Sequence, residues 1–299
     1  MPSQEFRDFN ARLFAHPASF ETIKDPVKLR EVFAAMNGEP TVCPDVTIAS
    51  ADANGVPGEW VEIAGSDPSR VILFLHGGGY VFGSITTHRS LVVALSRETR
   101  VRGFSIDYRL APENPFPAAV EDAVRGYQWL LAQRIDPSRI VIAGDSAGGG
   151  LTVATLVSLR DQGLPLPAAG VCLSPWTDLA LQGESQKTKA SVDPFISAAL
   201  CASNVRHYIG NAGDPYNPLA SPLYADLRGL PPLLVLVGTA EVLMDDSIRL
   251  VEKARQAQVE VDLIIGEQMI HVWPFFSDEF PEAREAVVQI ANYIRKMLK

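Results

Sequence analysis

Cysteine is scarce in this chain, and no pair of cysteines has a spacing that suggests a partner. Cys43, Cys172 and Cys201 are an odd set with no CxxC among them. That argues against a disulfide framework or a zinc site and fits a reducing, cytoplasmic setting. Basic runs are also missing. With 26 Lys and Arg against 35 Asp and Glu, the net charge is −9 with histidine neutral. No basic stripe interrupts that balance, so neither a nucleic acid nor an anionic membrane surface is an expected partner. No apolar stretch approaches the roughly 20 residues of a membrane helix. The opening "MPSQEFRDFNARLFAH" is amphipathic and lacks a signal-type apolar core.

What remains is an ordinary globular composition, 47% hydrophobic and 20% charged over 299 residues. That length suits one large α/β domain with a smaller attachment and needs no disulfide or metal to stabilise its core. Residues 1–45 read as helical. Phe6, Phe9, Leu13 and Phe14 recur at helical spacing, as do Leu29, Val32, Phe33 and Met36. Five of the thirteen phenylalanines lie in the first 33 residues, so this region has a greasy face that must cover something.

From residue 46 the rhythm changes. Strand-like runs at 46–49, 59–63, 71–75, 101–107, 140–143, 170–173, 233–237 and 261–264 come first in close succession, then alternate with helices. The helical patterns cover 88–99, 117–132, 147–161, 245–258 and 282–299. The alternation predicts an α/β fold with a mostly parallel eight-stranded sheet and helices on both faces, after an antiparallel lead-in. Residues 178–215 are too long for a plain connection. They are expected to be a partly helical insertion that joins residues 1–45 as a cap over a catalytic domain of 46–177 and 216–299.

The chemistry centres on "RIVIAGDSAGGGLTVATLV". Gly144-Asp145-Ser146-Ala147-Gly148 is a GxSxG pattern with a strand before it and a helix after it. A sharp strand-to-helix turn strains its central residue and requires nearly bare neighbours two positions away. It lifts the Ser146 hydroxyl above the sheet edge at a helix N-terminus. A tightly packed turn of small residues would use the same glycines, but no Lys-Ser/Thr follows for a P-loop and the spacing is wrong for GxGxxG.

A serine needs a base. Of His16, His76, His88, His207 and His271, only His271 stands just past the last strand without another evident role. A lone histidine beside Trp273 and Phe275 is more often structural; the serine elbow reverses those odds. The base in turn needs a carboxylate. Glu241 follows Gly238 by three residues on a strand-end loop, whereas Asp245 and Asp246 suit the start of the next helix. Glu241 is therefore the expected acid, with Asp245 second. "HGGGY" at 76–80 could supply backbone N–H groups for an oxyanion, together with that of Ala147.

In order, HGGGY, "DYRLAPENPFPAAVEDA", GDSAGGG, "SPWTDL" and "HVWPFF" resemble the hormone-sensitive-lipase-like (bacterial family IV) esterases of the α/β-hydrolase superfamily. The resemblance runs from about residue 45 to the C-terminus. It implies a carboxylesterase for short acyl esters working through Ser146, Glu241 and His271, with no cofactor or metal. It also implies oxyanion donors at Gly78, Gly79 and Ala147, with Gly77 a rival. This chain reads "EVLMD" where many members carry a "DPLRD"-like block, so Glu241 stands in the acid's place. Asp107, Tyr108 and Arg109 are expected to brace the turn beside HGGG. The expected partner is a small-molecule ester, with a homodimer possible. An amidase or acyltransferase with the same triad, or a non-catalytic receptor on the same fold, are the competing readings.

Overall fold

Several of the expected strands, such as 71–75 and 233–237, are apolar at every position. A sheet that contains them needs cover on both faces. The computed structural model describes residues 1–15, 20–37 and 44–298. His16 and Cys43 lie outside them. All eight expected strands form: β1 (Val46–Asp52), β2 (Pro57–Ile63), β3 (Asp67–Leu75), β4 (Val101–Ile106), β5 (Ile140–Asp145), β6 (Ala169–Leu173), β7 (Leu233–Gly238) and β8 (Val261–Gly266). They join one sheet in the order β1-β2-β4-β3-β5-β6-β7-β8. β2 pairs antiparallel with β1 and β4, and every other pairing is parallel.

Alternate residues of each central strand feed two cores. Val71, Leu73, Leu75, Ile140, Ile142, Leu233 and Val235 face one. Ile72, Phe74, Val141, Ala143, Leu234 and Leu236 face the other. The first core is closed by α4 (Ala118–Ala132), α5 (Ala147–Asp161) and α8 (Met244–Gln256). The second is closed by α3 (Ile85–Thr99) and α9 (Pro281–Met297). α5 is buried on all sides from Ala147 to Leu159. That explains its unbroken run of small and apolar residues. Among the described residues, no helix is long and apolar enough to cross a membrane.

Between β6 and β7 the chain makes α6 (Ser185–Thr188) and α7 (Ala198–Ile209). At the N-terminus it makes α1 (Gln4–Ala15) and α2 (Pro26–Asn37). The aromatic stripe of this region divides its work. Phe6 docks edge-on against Phe280 at 5.1 Å between centroids, and Phe33 packs on Phe82 at 4.9 Å. Phe14 departs from the expected apolar face and is 46% exposed.

Candidate active site

β5 ends at Asp145 and α5 begins at Ala147, so the direction of the chain reverses at a single residue. Ser146 has φ +53° and ψ −120°. For a non-glycine residue such a conformation costs roughly 1–3 kcal/mol and persists only where its surroundings fix it. Here the backbone does so. Ser146 N donates to Leu173 O (2.8 Å), and Ser146 O accepts from Trp176 N (2.9 Å) and Gly150 N (3.1 Å). The flanking glycines are required by close approach. A Cβ on Gly144 would stand 2.3 Å from Gly148 O, and one on Gly148 would stand 1.9 Å from Leu75 O.

His271 follows β8 and Glu241 follows β7, so adjacent strand ends bring them together. His271 Nδ1 lies 3.4 Å from Glu241 Oε1, and Glu241 is fully buried. The second carboxylate oxygen accepts from Ser174 Oγ (2.8 Å) and Gly238 N (3.1 Å). Ser174 Oγ accepts in turn from Val272 N (3.0 Å). One hydroxyl thus ties the acid to the histidine loop. Val272 sits at φ +49°, a strained position for a β-branched side chain. Asp245 is elsewhere: its Oδ2 accepts from Ser185 N at 2.8 Å. Asp246 accepts from Thr177 N and Asp178 N, both at 2.8 Å.

Burial by itself pulls the His271 imidazolium down. The hydrogen bond and charge of Glu241 oppose that, with the charges of Asp193 and Asp145, and the net direction is upward. Asp193 belongs to the segment between β6 and β7. Its Oδ2 accepts from Val242 N (2.8 Å), and its Oδ1 accepts from Phe195 N (3.0 Å) and Ile196 N (2.9 Å). That segment is therefore pinned to the residue after Glu241.

The three glycines of the loop differ in how their N–H groups are used. Gly77 N already donates to Asp145 Oδ1 at 2.9 Å, with His88 Nε2 at 3.2 Å. The N–H groups of Gly78, Gly79 and Ala147 make no hydrogen bond with any described residue. Gly78 and Gly79 have φ +113° and +60°. Tyr108 OH donates to His76 O (2.7 Å), which braces the loop from behind. Burial, then the neighbouring His88, pull the His76 pKa down to about 3, so it is a neutral ring stacked on Tyr108. Asp107 also serves this corner, accepting from Ile85 N at 2.7 Å. Arg109 does not. It turns away to grip Asp122 at 2.8 and 2.9 Å on α4, because a buried carboxylate there needs a cation.

These groups meet in one cavity of about 430 Å³. Gly78, Gly79, Ser146 and His271 form its polar end; Phe9, Phe20 and Phe33 from the N-terminal region and Leu200 from α7 help close it. The Ser146 hydroxyl makes no hydrogen bond with a described residue and faces this space. A missing serine–histidine bond is ordinary where no substrate holds the pair together.

The family description that matches residues 72–275 is that of the alpha/beta hydrolase fold. The chain belongs to that family. The hydrolase is 45% identical over 237 residues to an acetyl-hydrolase of Streptomyces hygroscopicus, covering 79% of each chain. It is 38% identical over 250 residues to an esterase of Acinetobacter venetianus, covering 84% of this chain and 82% of that one. Among solved structures it is similar to an esterase from the bacterial hormone-sensitive lipase family, with TM-score 0.94, 45% identity and all of both chains covered. Another is an esterase soaked with p-nitrophenyl butyrate, with TM-score 0.94, 42% identity and 99% of each chain covered. The hydrolase is a hormone-sensitive-lipase-like serine ester hydrolase.

Three contributors escaped the sequence reading. Asp145 was only a spacer in the serine motif, Ser174 was quoted only as the first residue of "SPWTDL", and Asp193 was part of the insertion. An acidic residue inside a glycine-rich turn could have signalled Asp145, since a buried carboxylate demands donors. The "SPWTDL" block marked Ser174 but not its role, and nothing local marks Asp193; their partners lie 67 and 49 residues away.

Proposed function

We propose that this hydrolase cleaves short-chain acyl esters by two-step acyl transfer. Ser146 attacks the ester carbonyl while His271 takes its proton. Glu241 orients the ring and stabilises the imidazolium. The N–H groups of Gly78, Gly79 and Ala147 receive the oxyanion. His271 then protonates the leaving alcohol, and water attacks the acyl-enzyme by the same route in reverse. These groups provide every proton and charge step without a metal or organic cofactor.

One observation carries this reading: a strained serine and an acid-paired histidine line one cavity with Gly78 and Gly79, whose N–H groups, like that of Ala147 beside the serine, bond no described residue. The short-chain part is supported by the aromatic side chains that close the cavity and by the butyrate ester soaked into a similar esterase. An acyl series of p-nitrophenyl esters tests it. Activity is expected to peak at two to four acyl carbons, and a sharp preference for long chains contradicts it. Ser146→Ala is expected to lower kcat by about 10⁶.

The neutral His271 ring is the base, and its pKa is raised. The acid limb of kcat/KM is therefore expected to have its midpoint above the ordinary histidine value of 6.5, with activity falling as pH drops through it. A midpoint below that value contradicts the pairing with Glu241.

A further inference from the structure

The buried face of α7 reads Leu200, Cys201, Asn204 and Tyr208. Three of these are expected at core positions; an asparagine is not. Asn204 is 4% exposed and lines the candidate active-site cavity. Its side-chain amide makes no hydrogen bond with any described residue. The amide therefore presents an unused donor and acceptor to the cavity, where a bound molecule can take the place of water.

Its location says which part of that molecule it meets. Asn204 Nδ2 stands 2.1 Å from where a Cβ on Gly79 would be. It therefore packs against the Cα of Gly79, a residue assigned to the oxyanion, so a substrate group that meets the amide lies close to the scissile carbonyl. An amide offers both a donor and an acceptor, and a hydroxyl satisfies both.

We infer that Asn204 is a specificity-determining residue that selects esters bearing a hydroxyl within two or three atoms of the scissile carbonyl. The inference rests on the esterase reading above and deepens it. The hydroxyl reaches the amide from the acyl side or from the alcohol side, and the same chemistry serves both.

The test compares kcat/KM for three esters of similar size: ethyl butyrate, ethyl 3-hydroxybutyrate and 2-hydroxyethyl butyrate. The wild-type hydrolase is expected to favour one hydroxylated ester over ethyl butyrate by about five- to tenfold, the yield of one hydrogen bond. Which ester is favoured identifies the acyl or the alcohol side. Asn204→Leu, close in volume, is expected to erase the preference. Asn204→Ser, which keeps a hydroxyl and relieves any crowding, is expected to retain part of it. Thermal unfolding of each variant confirms that a folded protein is being compared. A preference that survives Asn204→Leu overturns the inference, as does an equal loss of kcat on all three esters, which would make Asn204 an oxyanion donor. Cleavage of ethyl butyrate with no hydroxyl preference in the wild type overturns the inference alone. No cleavage of any ester, with p-nitrophenyl esters also untouched, overturns the esterase reading and the inference with it.

Discussion

The floor and the roof of the cavity are held in different ways. The floor consists of the Ser146 turn, the glycine loop and the ends of β3, β5 and β6. Its contacts are largely backbone to backbone, such as Ser146 N to Leu173 O, and they leave no room for a Cβ at Gly144 or Gly148. The roof consists of α1, α2, α7 and the segment around Phe195. Its contacts are mostly aromatic, such as Phe33 on Phe82 and Phe195 on Phe276 at 5.5 Å. Backbone contacts have no alternative rotamers, whereas aromatic packing absorbs a changed side chain at modest cost. The difference assigns chemistry to the floor and selectivity to the roof. A substitution below should remove turnover for every ester. A substitution above should change which ester is preferred.

The largest effect is expected at Gly148→Ala. Its Cβ would meet Leu75 O at 1.9 Å, and neither partner can rotate away. Loss of measurable esterase activity is expected for all acyl lengths, together with a drop in thermal midpoint. Retention of activity would show that the elbow is softer than this contrast requires. A middle effect is expected at Asp145→Asn. The substitution keeps the shape but replaces a charged acceptor for Gly77 N by a neutral one. The glycine loop then loses part of its anchor, and kcat is expected to fall about 10- to 100-fold with little change in KM. A change confined to KM would place Asp145 in substrate binding instead. The smallest effect is expected at Phe33→Ala. Removing this partly buried ring is expected to cost about 1–2 kcal/mol of stability, less than a full core truncation. It should move the acyl-length optimum upward while leaving kcat on acetate esters within a few fold. An equal loss across the acyl series would erase the distinction between floor and roof.

The sequence carried more of the floor than of the roof, for the same reason. A strained turn needs bare neighbours at fixed spacing, so Gly144, Ser146 and Gly148 announce themselves locally. His271 and Glu241 could be placed because each follows a recognisable strand, and the strands came from uniform apolar runs. That the Gly77 N–H is already occupied was not legible, because its partner Asp145 lies 68 residues away. Arg109 was placed beside HGGG because its neighbours Asp107 and Tyr108 are there. Its long side chain answers instead to buried Asp122 on α4. Phe14 shared the helical spacing of Phe6 and Phe9, yet it is exposed where they are buried. Asn204 gave no motif at all. Only its place in the cavity wall, with an amide that bonds no described residue, marks it.

The account stands most directly on Ser146 being the one activated hydroxyl at the polar end of the cavity. Treating the wild-type hydrolase with a dialkyl fluorophosphate and mapping the modified peptide by mass spectrometry tests this. The expected result is one phosphoryl group per chain, carried by Ser146, with esterase activity lost in proportion to labelling and no labelling of Ser146→Ala. Full activity after treatment, or a stoichiometric label on another residue, would contradict it.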